Sequence, residues 1–245
     1  LDNTEVVRAV VGIWPISLFK KKNIETEVGL CISYPKSGRT WLRVMLDELG
    51  VPLRFSHGGS AFHSRNFRPP RYFLGKKRAL FLHRDPIDTT ISGYFQVTKR
   101  EAWRNLFNGS VSEFIRDDKL GIVRTLRFNS MWLDAASNNE AVLVTTYESL
   151  HSDPMSELRK IANWFGVSVS NEQLEKAVVA GRFDTMKAQE ATGGYEESYH
   201  HRLRPANPDD PDSFKVRKGV VGGYREYLTE DDIAFCKERI LQNRA

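Results

Sequence analysis

The most constraining stretch of this 245-residue chain is residues 28–50. It opens with an apolar run, Val28-Gly-Leu-Cys-Ile-Ser-Tyr34, which has the length and content of a buried strand. A polar loop follows, Pro35-Lys-Ser-Gly-Arg-Thr40, and then Trp41-Leu-Arg-Val-Met-Leu-Asp-Glu-Leu49. In that last run Trp41, Leu42, Met45, Leu46 and Leu49 recur at helical spacing, and Gly50 is a helix stop. A turn containing Gly38 at a helix N-terminus points unpaired backbone N–H groups at one spot, where the helix dipole also favours negative charge. Lys36 adds a mobile cation there, and Ser37 and Thr40 add hydroxyl donors. The unit reads as a phosphate cradle. It is not a Walker A loop, in which Gly-Lys precedes Ser or Thr, because here Lys36 comes before the glycine.

The rest of the chain sets this unit in a larger pattern. Strands are expected over 53–56, running into His57-Gly58-Gly59, over 78–83, ended by Arg84-Asp85-Pro86, and over 141–147. Helices are expected over 86–98 and over 154–165, the second with Pro154 at its start. This alternation predicts a single α/β domain over 1–245, with a central, mostly parallel sheet flanked by helices on both faces. Ligands of such sheets sit at the carboxyl ends of the strands. Lys36, His57 and Arg84 follow the first, second and third strands.

Composition narrows the classes. No apolar run approaches the roughly 20 residues of a membrane span. Two cysteines, Cys31 and Cys236, are too few for a disulfide framework or a four-thiolate zinc site, and a reducing, cytoplasmic setting is expected. No His/Cys/Asp cluster has metal-ligand spacing, so no metal is expected. The net charge is only +5, yet no acidic residue stands between Glu48 and Asp85, where Arg54, Arg65, Arg68, Arg71, Lys76, Lys77, Arg78 and Arg84 fall. That stretch is either a solvated basic face or a region that receives an anion.

Tyr34-Pro-Lys-Ser-Gly-Arg-Thr-Trp41 resembles the 5′-phosphosulfate loop of the sulfotransferases that use 3′-phosphoadenosine-5′-phosphosulfate (PAPS), usually Tyr-Pro-Lys-Ser-Gly-Thr-Thr-Trp. Arg39 stands at a threonine position. Leu82-His-Arg-Asp-Pro-Ile-Asp-Thr-Thr-Ile-Ser92 is similar to the family's 3′-phosphate site, in which Arg84 and Ser92 would share one phosphate. Phe214-Lys-Val-Arg217-Lys218-Gly219 resembles the C-terminal segment that folds over that phosphate and the adenine. Tyr147-Glu-Ser-Leu and Phe183 are weaker matches to residues beside the base, and Gly181 stands where the family often has threonine. The resemblance implies that Lys36, Ser37, Gly38, Arg39, Thr40 and Trp41 hold the donor together with these residues. It implies the product adenosine 3′,5′-bisphosphate (PAP), no metal, and sulfuryl transfer to a hydroxyl or amine of a small-molecule or glycan acceptor. In this reading Lys36 neutralises charge on the leaving oxygen.

Transfer to an alcohol requires a base. The family places a histidine after the second strand, and His57 in Phe55-Ser-His-Gly-Gly matches that placement, with Phe55 where a lysine is usual. His63 competes for the role, but a strand end fixes a base better than a loop does. An imidazole base would give an acid limb near pH 6–7. His83 reads as structural, and His200 and His201 as surface or lid residues. Acceptor-binding loops are expected over 58–76, 99–125 and 190–212. Arg225-Glu-Tyr-Leu-Thr-Glu230 does not match the family's dimer motif, which leaves the oligomeric state open. Two rivals stand beside this reading. A nucleotide-dependent phosphotransferase would need a magnesium-binding carboxylate near the cradle. A polyanion binder would use Phe55, Phe62, Phe67, Tyr72 and Phe73 among the cations; a nucleic-acid partner is not expected.

Overall fold

In a parallel sheet covered on both sides, alternate residues of each strand must find an apolar partner on opposite faces. The computed structural model, which describes residues 28–243 except 63, 65, 76, 196–198 and 200–202, meets that demand with four strands. They are β1 (Gly29–Ser33), β2 (Leu53–Ser56), β3 (Ala79–His83) and β4 (Val142–Thr146), all parallel, in the order β2-β1-β3-β4. Cys31 lies opposite Leu80, and Ile32 opposite Phe81. His63, His200 and His201 lie outside the described residues.

The helices, in chain order, are α1 (Arg39–Glu48), α2 (Arg71–Leu74), α3 (Pro86–Phe95), α4 (Val111–Arg116), α5 (Ile122–Ser137), α6 (Tyr147–Ser152), α7 (Pro154–Trp164), α8 (Asn171–Ala180) and α9 (Phe183–Thr192). A C-terminal helix, Glu230–Gln242, follows. Cys31, Leu80 and Leu82 pack with Leu42 and Met45 of α1, Ile161 of α7 and Leu174 of α8 on one face. Ile32 and Phe81 pack with Phe128 and Trp132 of α5 on the other. A third cluster joins Ile87, Ile91 and Phe95 of α3 to Ile122 of α5 and to Tyr224, Leu228, Ile233 and Cys236 near the C-terminus. It ties the end of the chain to the helix after β3.

The chain moves from β1 outward to β2 and then crosses back to β3 on the other side of β1. The carboxyl ends of β1 and β3 therefore flank the switch point, where α/β sheets open a crevice.

Several expectations need correction. The helix expected to 98 ends at Phe95 and widens into a π-helical turn, Gln96–Arg100. The expected loop 99–125 contains α4 and the start of α5. The helices α4, α8 and the C-terminal one went unread although each carries a reciprocal cap: Ser110 with Glu113, Ser170 with Gln173, and Thr229 with Asp232. That spacing was the available signal.

Candidate active site

The cradle forms because the chain must turn sharply between β1 and α1. Gly38 caps the helix at φ +88°, and a Cβ there would stand 2.5 Å from a ring carbon of Tyr147. Only glycine combines that φ with that clearance. Lys36 also has a positive φ, 73°, a cost of about 1 kcal/mol that a non-glycine residue tolerates where surrounding contacts hold it. Its Nζ donates 2.9 Å to Oε1 of Gln96, the first residue of the π-helical turn. Burial first, and then Lys215 and Arg100, hold the Lys36 ammonium well below its usual range.

Beside the cradle a cavity of about 470 Å³ opens at the strand ends, and it gathers the predicted residues. Lys36, Gly38, Arg39, Thr40 and Trp41 line it from the loop and α1, and Arg84 and Ser92 from the end of β3 and from α3. Tyr147, Phe183, Arg217, Lys218 and Gly219 close it from β4's end, α9 and the C-terminal segment. Ser37 is fully buried and is not part of the wall. The volume falls within the range of small-molecule and cofactor sites.

The wall has two chemical halves. Trp41 and Tyr147 stand with centroids 5.1 Å apart, and Trp41 Nε1 donates 2.8 Å to the carbonyl of Gly181. A side chain at 181 would meet Met45 at 2.6 Å and Trp41 Nε1 at 3.0 Å. The absent threonine is thus replaced by a backbone support for the indole. Phe183 sits against Gly219, whose φ of +67° and close approach leave no room for a Cβ.

In the cationic half, a buried carboxylate, Asp88, anchors Arg84. Arg84 lies 4.1 Å above the Tyr147 ring, donates to Val220 O at 2.8 Å and pairs with Asp88 at 3.4 Å. Its Nε is buried without a partner. Asp88 also accepts from the backbone N–H groups of Gly222 and Tyr224, at 2.7 and 3.0 Å, which clamps the C-terminal segment over the cavity. Arg217 stacks on Phe95 at 4.0 Å and donates 2.6 Å to the Tyr227 hydroxyl. Lys218 pairs with Glu226.

His57 is set as predicted, at the end of β2. Its Nδ1 lies 3.1 Å from Ser33 O, and Arg39 Nη2 donates 2.6 Å to its Nε2. Burial first, and then the Arg39 charge, push the imidazole down to about 3 rather than the expected 6–7. The ring opens partly to the cavity. His83 stacks on Phe81 at 5.5 Å, outside the cavity wall.

Sequence reasoning missed Lys215, Gln96, Asp88 and Glu190. Phe55, where a lysine is usual, lies beneath Arg43 at 4.2 Å, while Lys215 brings a buried cation into the cavity from the C-terminal segment. Burial, then Arg100 and Arg39, lower its ammonium to about 7. Glu190 of α9 is fully buried and accepts from Arg100 Nη1 at 3.0 Å and from the backbone of Lys215 and Val216 at 2.7 and 2.8 Å. The signal for Lys215 was present, inside a segment already singled out.

The rivals fare differently from the leading reading. Phe55, Phe62, Phe67 and Phe73 pack against the core, and among the proposed stacking rings Tyr72 alone, 68% exposed, is an open platform. Among the described residues no three His, Cys, Asp or Glu side chains are grouped to hold a metal. The acidic groups of the cavity wall, Asp88 and Glu101, are each paired with an arginine.

Fold and site together define a parallel α/β protein with a non-Walker phosphate cradle at its switch point and a cationic, aromatic-walled cavity. The family model described as the Sulfotransferase domain matches residues 65–244, and the chain belongs to that family. It is 24% identical to the 3-beta-hydroxysteroid sulfotransferase of Cavia porcellus, over 93% of this chain and 90% of that protein. It is likewise 24% identical to Cytosolic sulfotransferase 16 of Arabidopsis thaliana, over 82% and 71%. Among solved structures it is similar to mouse sulfotransferase SULT7A1 complexed with PAP, with a TM-score of 0.66 at 20% identity, over 90% of this chain and 85% of that one. Retinol dehydratase, in complex with androsterone and PAP, gives a TM-score of 0.65 at 15% identity, over 87% and 79%. No helix among the described residues is long and apolar enough to cross a membrane.

Proposed function

We propose that this chain transfers a sulfuryl group from PAPS to a hydroxyl or amine of a small-molecule or glycan acceptor, with His57 as the base. The observation that carries the reading is the cavity: Lys36, Arg84, Arg217 and Lys218 line it together with Trp41, Tyr147 and Phe183 at the ends of β1 and β3. A nucleotide with phosphates at both ends asks for that division of labour. The residues fit the group on independent grounds, since Arg84 keeps a buried, unpartnered Nε and the glycines at 38 and 219 let the Tyr147 and Phe183 rings close against the backbone where a Cβ would collide. Lys36, Thr40 and the first N–H groups of α1 would hold the 5′ end, Arg84, Ser92, Arg217 and Lys218 the 3′-phosphate, and the three aromatics the base. Bound there, PAPS supplies a sulfuryl group already activated by its phosphate leaving group.

The chain's own contribution is electrostatic and acid–base. The ammonium of Lys36 and the N-terminus of α1 offset negative charge at one fixed point, and fixed charges need no reorganisation during reaction. Ser33 O can only accept, so it holds the ring proton of His57 on Nδ1 and leaves Nε2 as the atom that takes a proton from the acceptor. The steroid and cytosolic names among the relatives support a small hydroxylic acceptor and a cytoplasmic setting for this chain.

The decisive experiment is transfer of labelled sulfate from PAPS into a panel of phenols, alcohols, sugars and amines, beside calorimetry with PAP and with AMP. Charge-assisted bonds to a buried phosphate contribute roughly 2–4 kcal/mol, so PAP should bind at least thirtyfold tighter than AMP. Equal affinity for the two nucleotides would reject the assignment.

A further inference from the structure

Arg39 stands where the resembling motif has threonine, and its side chain does what threonine could not. Its Nη2 donates 2.6 Å to His57 Nε2. With the ring proton held on Nδ1 by Ser33 O, at 3.1 Å, Nε2 has one lone pair, and the guanidinium already fills it. A guanidinium keeps its proton at every accessible pH, so it hands none to the ring. An acceptor hydroxyl and Arg39 therefore exclude each other at this atom.

We propose that Arg39 is a positioning residue that caps His57 in the resting pocket, and that the cap must leave Nε2 before the imidazole can take a proton from an acceptor. This rests on the reading of His57 as the base. A guanidinium gives up one hydrogen bond for a stronger one, and charge-assisted bonds to an oxyanion are the strong kind. The proposed function brings such an anion, the donor's sulfonate, to this end of the cavity. The charged groups that face His57 are Arg39 from α1, Lys215 from the C-terminal segment and Lys36 from the loop after β1. Arg39 is a permanent cation and the two lysines add positive charge when protonated, which together with burial holds the ring at about 3. An arriving anion offsets that local field and makes the ring a stronger base. The cap therefore couples the base to the donor: the imidazole is idle while the pocket is empty and competent once the donor's charge is in place.

The test is an NMR titration of the His57 ring, assigned by loss of its signal in His57→Gln, in wild type, Arg39→Gln and Arg39→Ala. Each is measured free and with PAPS in the absence of acceptor. Both Arg39 variants keep the backbone N–H of the cradle, and either one, folded by its melting curve, suffices. In free wild type the ring should stay neutral above pH 5, and in the variants its titration should move up by about one unit or more. Donor should raise the wild-type value by more than it raises the variants'. If the free variants titrate like free wild type, the cap does not exist. If PAPS binds and leaves the wild-type ring unmoved, the coupling to the donor is wrong. If PAPS does not bind any of the proteins, the sulfotransferase reading itself fails, and the free-protein comparison still decides whether Arg39 caps the ring.

Discussion

At the scale of single residues, the site sets two ionisable groups against their usual behaviour. His57→Ala removes the proposed base at the end of β2 while leaving the cations proposed for the 3′-phosphate in place. PAP binding should persist, and transfer to a weakly acidic alcohol should fall by about 10² to 10⁴, measured as kcat with PAPS at saturation. The ring also has a stability signature. Its folded value, about 3, lies below its ordinary value, so between the two the unfolded chain binds a proton that the folded chain does not. Stability contributed by the neutral ring is therefore present above about pH 6.5 and shrinks as the pH falls toward 3. The ring is partly open to the cavity, which discounts the effect to on the order of 1 kcal/mol at pH 5. His57→Gln should flatten this acid dependence in denaturant titrations at pH 7 and pH 5; an unchanged slope would count against a buried neutral ring. Lys36→Met tests the other group. Its charge matters most when negative charge develops, so kcat should drop by about 10² or more with a smaller loss of PAP affinity. A variant that kept kcat and lost only affinity would make Lys36 a positioning residue.

At the scale of elements, two joints hold the cavity. The β1–α1 turn depends on Gly38, and Gly38→Ala adds a strained φ and an overlap with the Tyr147 ring. A loss of about 1–3 kcal/mol in unfolding free energy is expected, together with weaker PAP binding, because Tyr147 must shift from the cavity wall. Retention of both would mean that the turn relaxes freely. The second joint is Glu190, whose two carboxylate oxygens serve Arg100 and the backbone N–H groups of 215 and 216. In Glu190→Gln one oxygen becomes an NH₂ group, which cannot accept. The orphaned donors and the unbalanced arginine should cost about 2–4 kcal/mol. Hydrogen exchange should speed up over 213–219, and PAP should bind at least about tenfold more weakly. Unchanged exchange there would show that Glu190 does not hold the C-terminal segment in place.

At the scale of the whole molecule, the proposed nucleotide site bridges parts of the chain that are far apart in sequence: the cradle, the β3 end, α9 and the C-terminal segment all contribute to one wall. A ligand that touches all of them should stabilise the fold as a unit. At 100 times its Kd a ligand adds about 2.7 kcal/mol, which for a chain of this size raises Tm by roughly 5–10 °C. PAP should do this in a single cooperative transition, and AMP at the same concentration should do much less. A second transition unaffected by PAP would show that part of the chain folds independently of the site. High salt should weaken the PAP effect only moderately, since Arg84 is only 12% exposed and is screened less than a surface charge.

The parts of this protein that were legible in its sequence are those whose physics is local. The apolar runs of β1 and β3, the helical spacing of α1 and the glycine between β1 and α1 lie within windows of a few residues, and there hydrogen-bonding geometry and apolar periodicity act directly. The cradle and the strand-end positions of His57 and Arg84 followed from them. The capped starts of α4, α8 and the C-terminal helix were equally local and could have been read from the same rules. The contacts that decide the chemistry are of another kind. Arg39 meets His57 across 18 residues, Lys36 meets Gln96 across 60, and Trp41 meets Gly181 across 140. Lys215 enters the cavity because Glu190 and Asp88 draw the C-terminal segment back onto α9 and α3. No window of the sequence contains both partners of such a pair, and only strand register and helix packing bring them together. The low pKa of His57 belongs to that second class: the residue type supplies an imidazole, and burial beside positive groups brought from the cradle and from the distant C-terminal segment decides how it titrates.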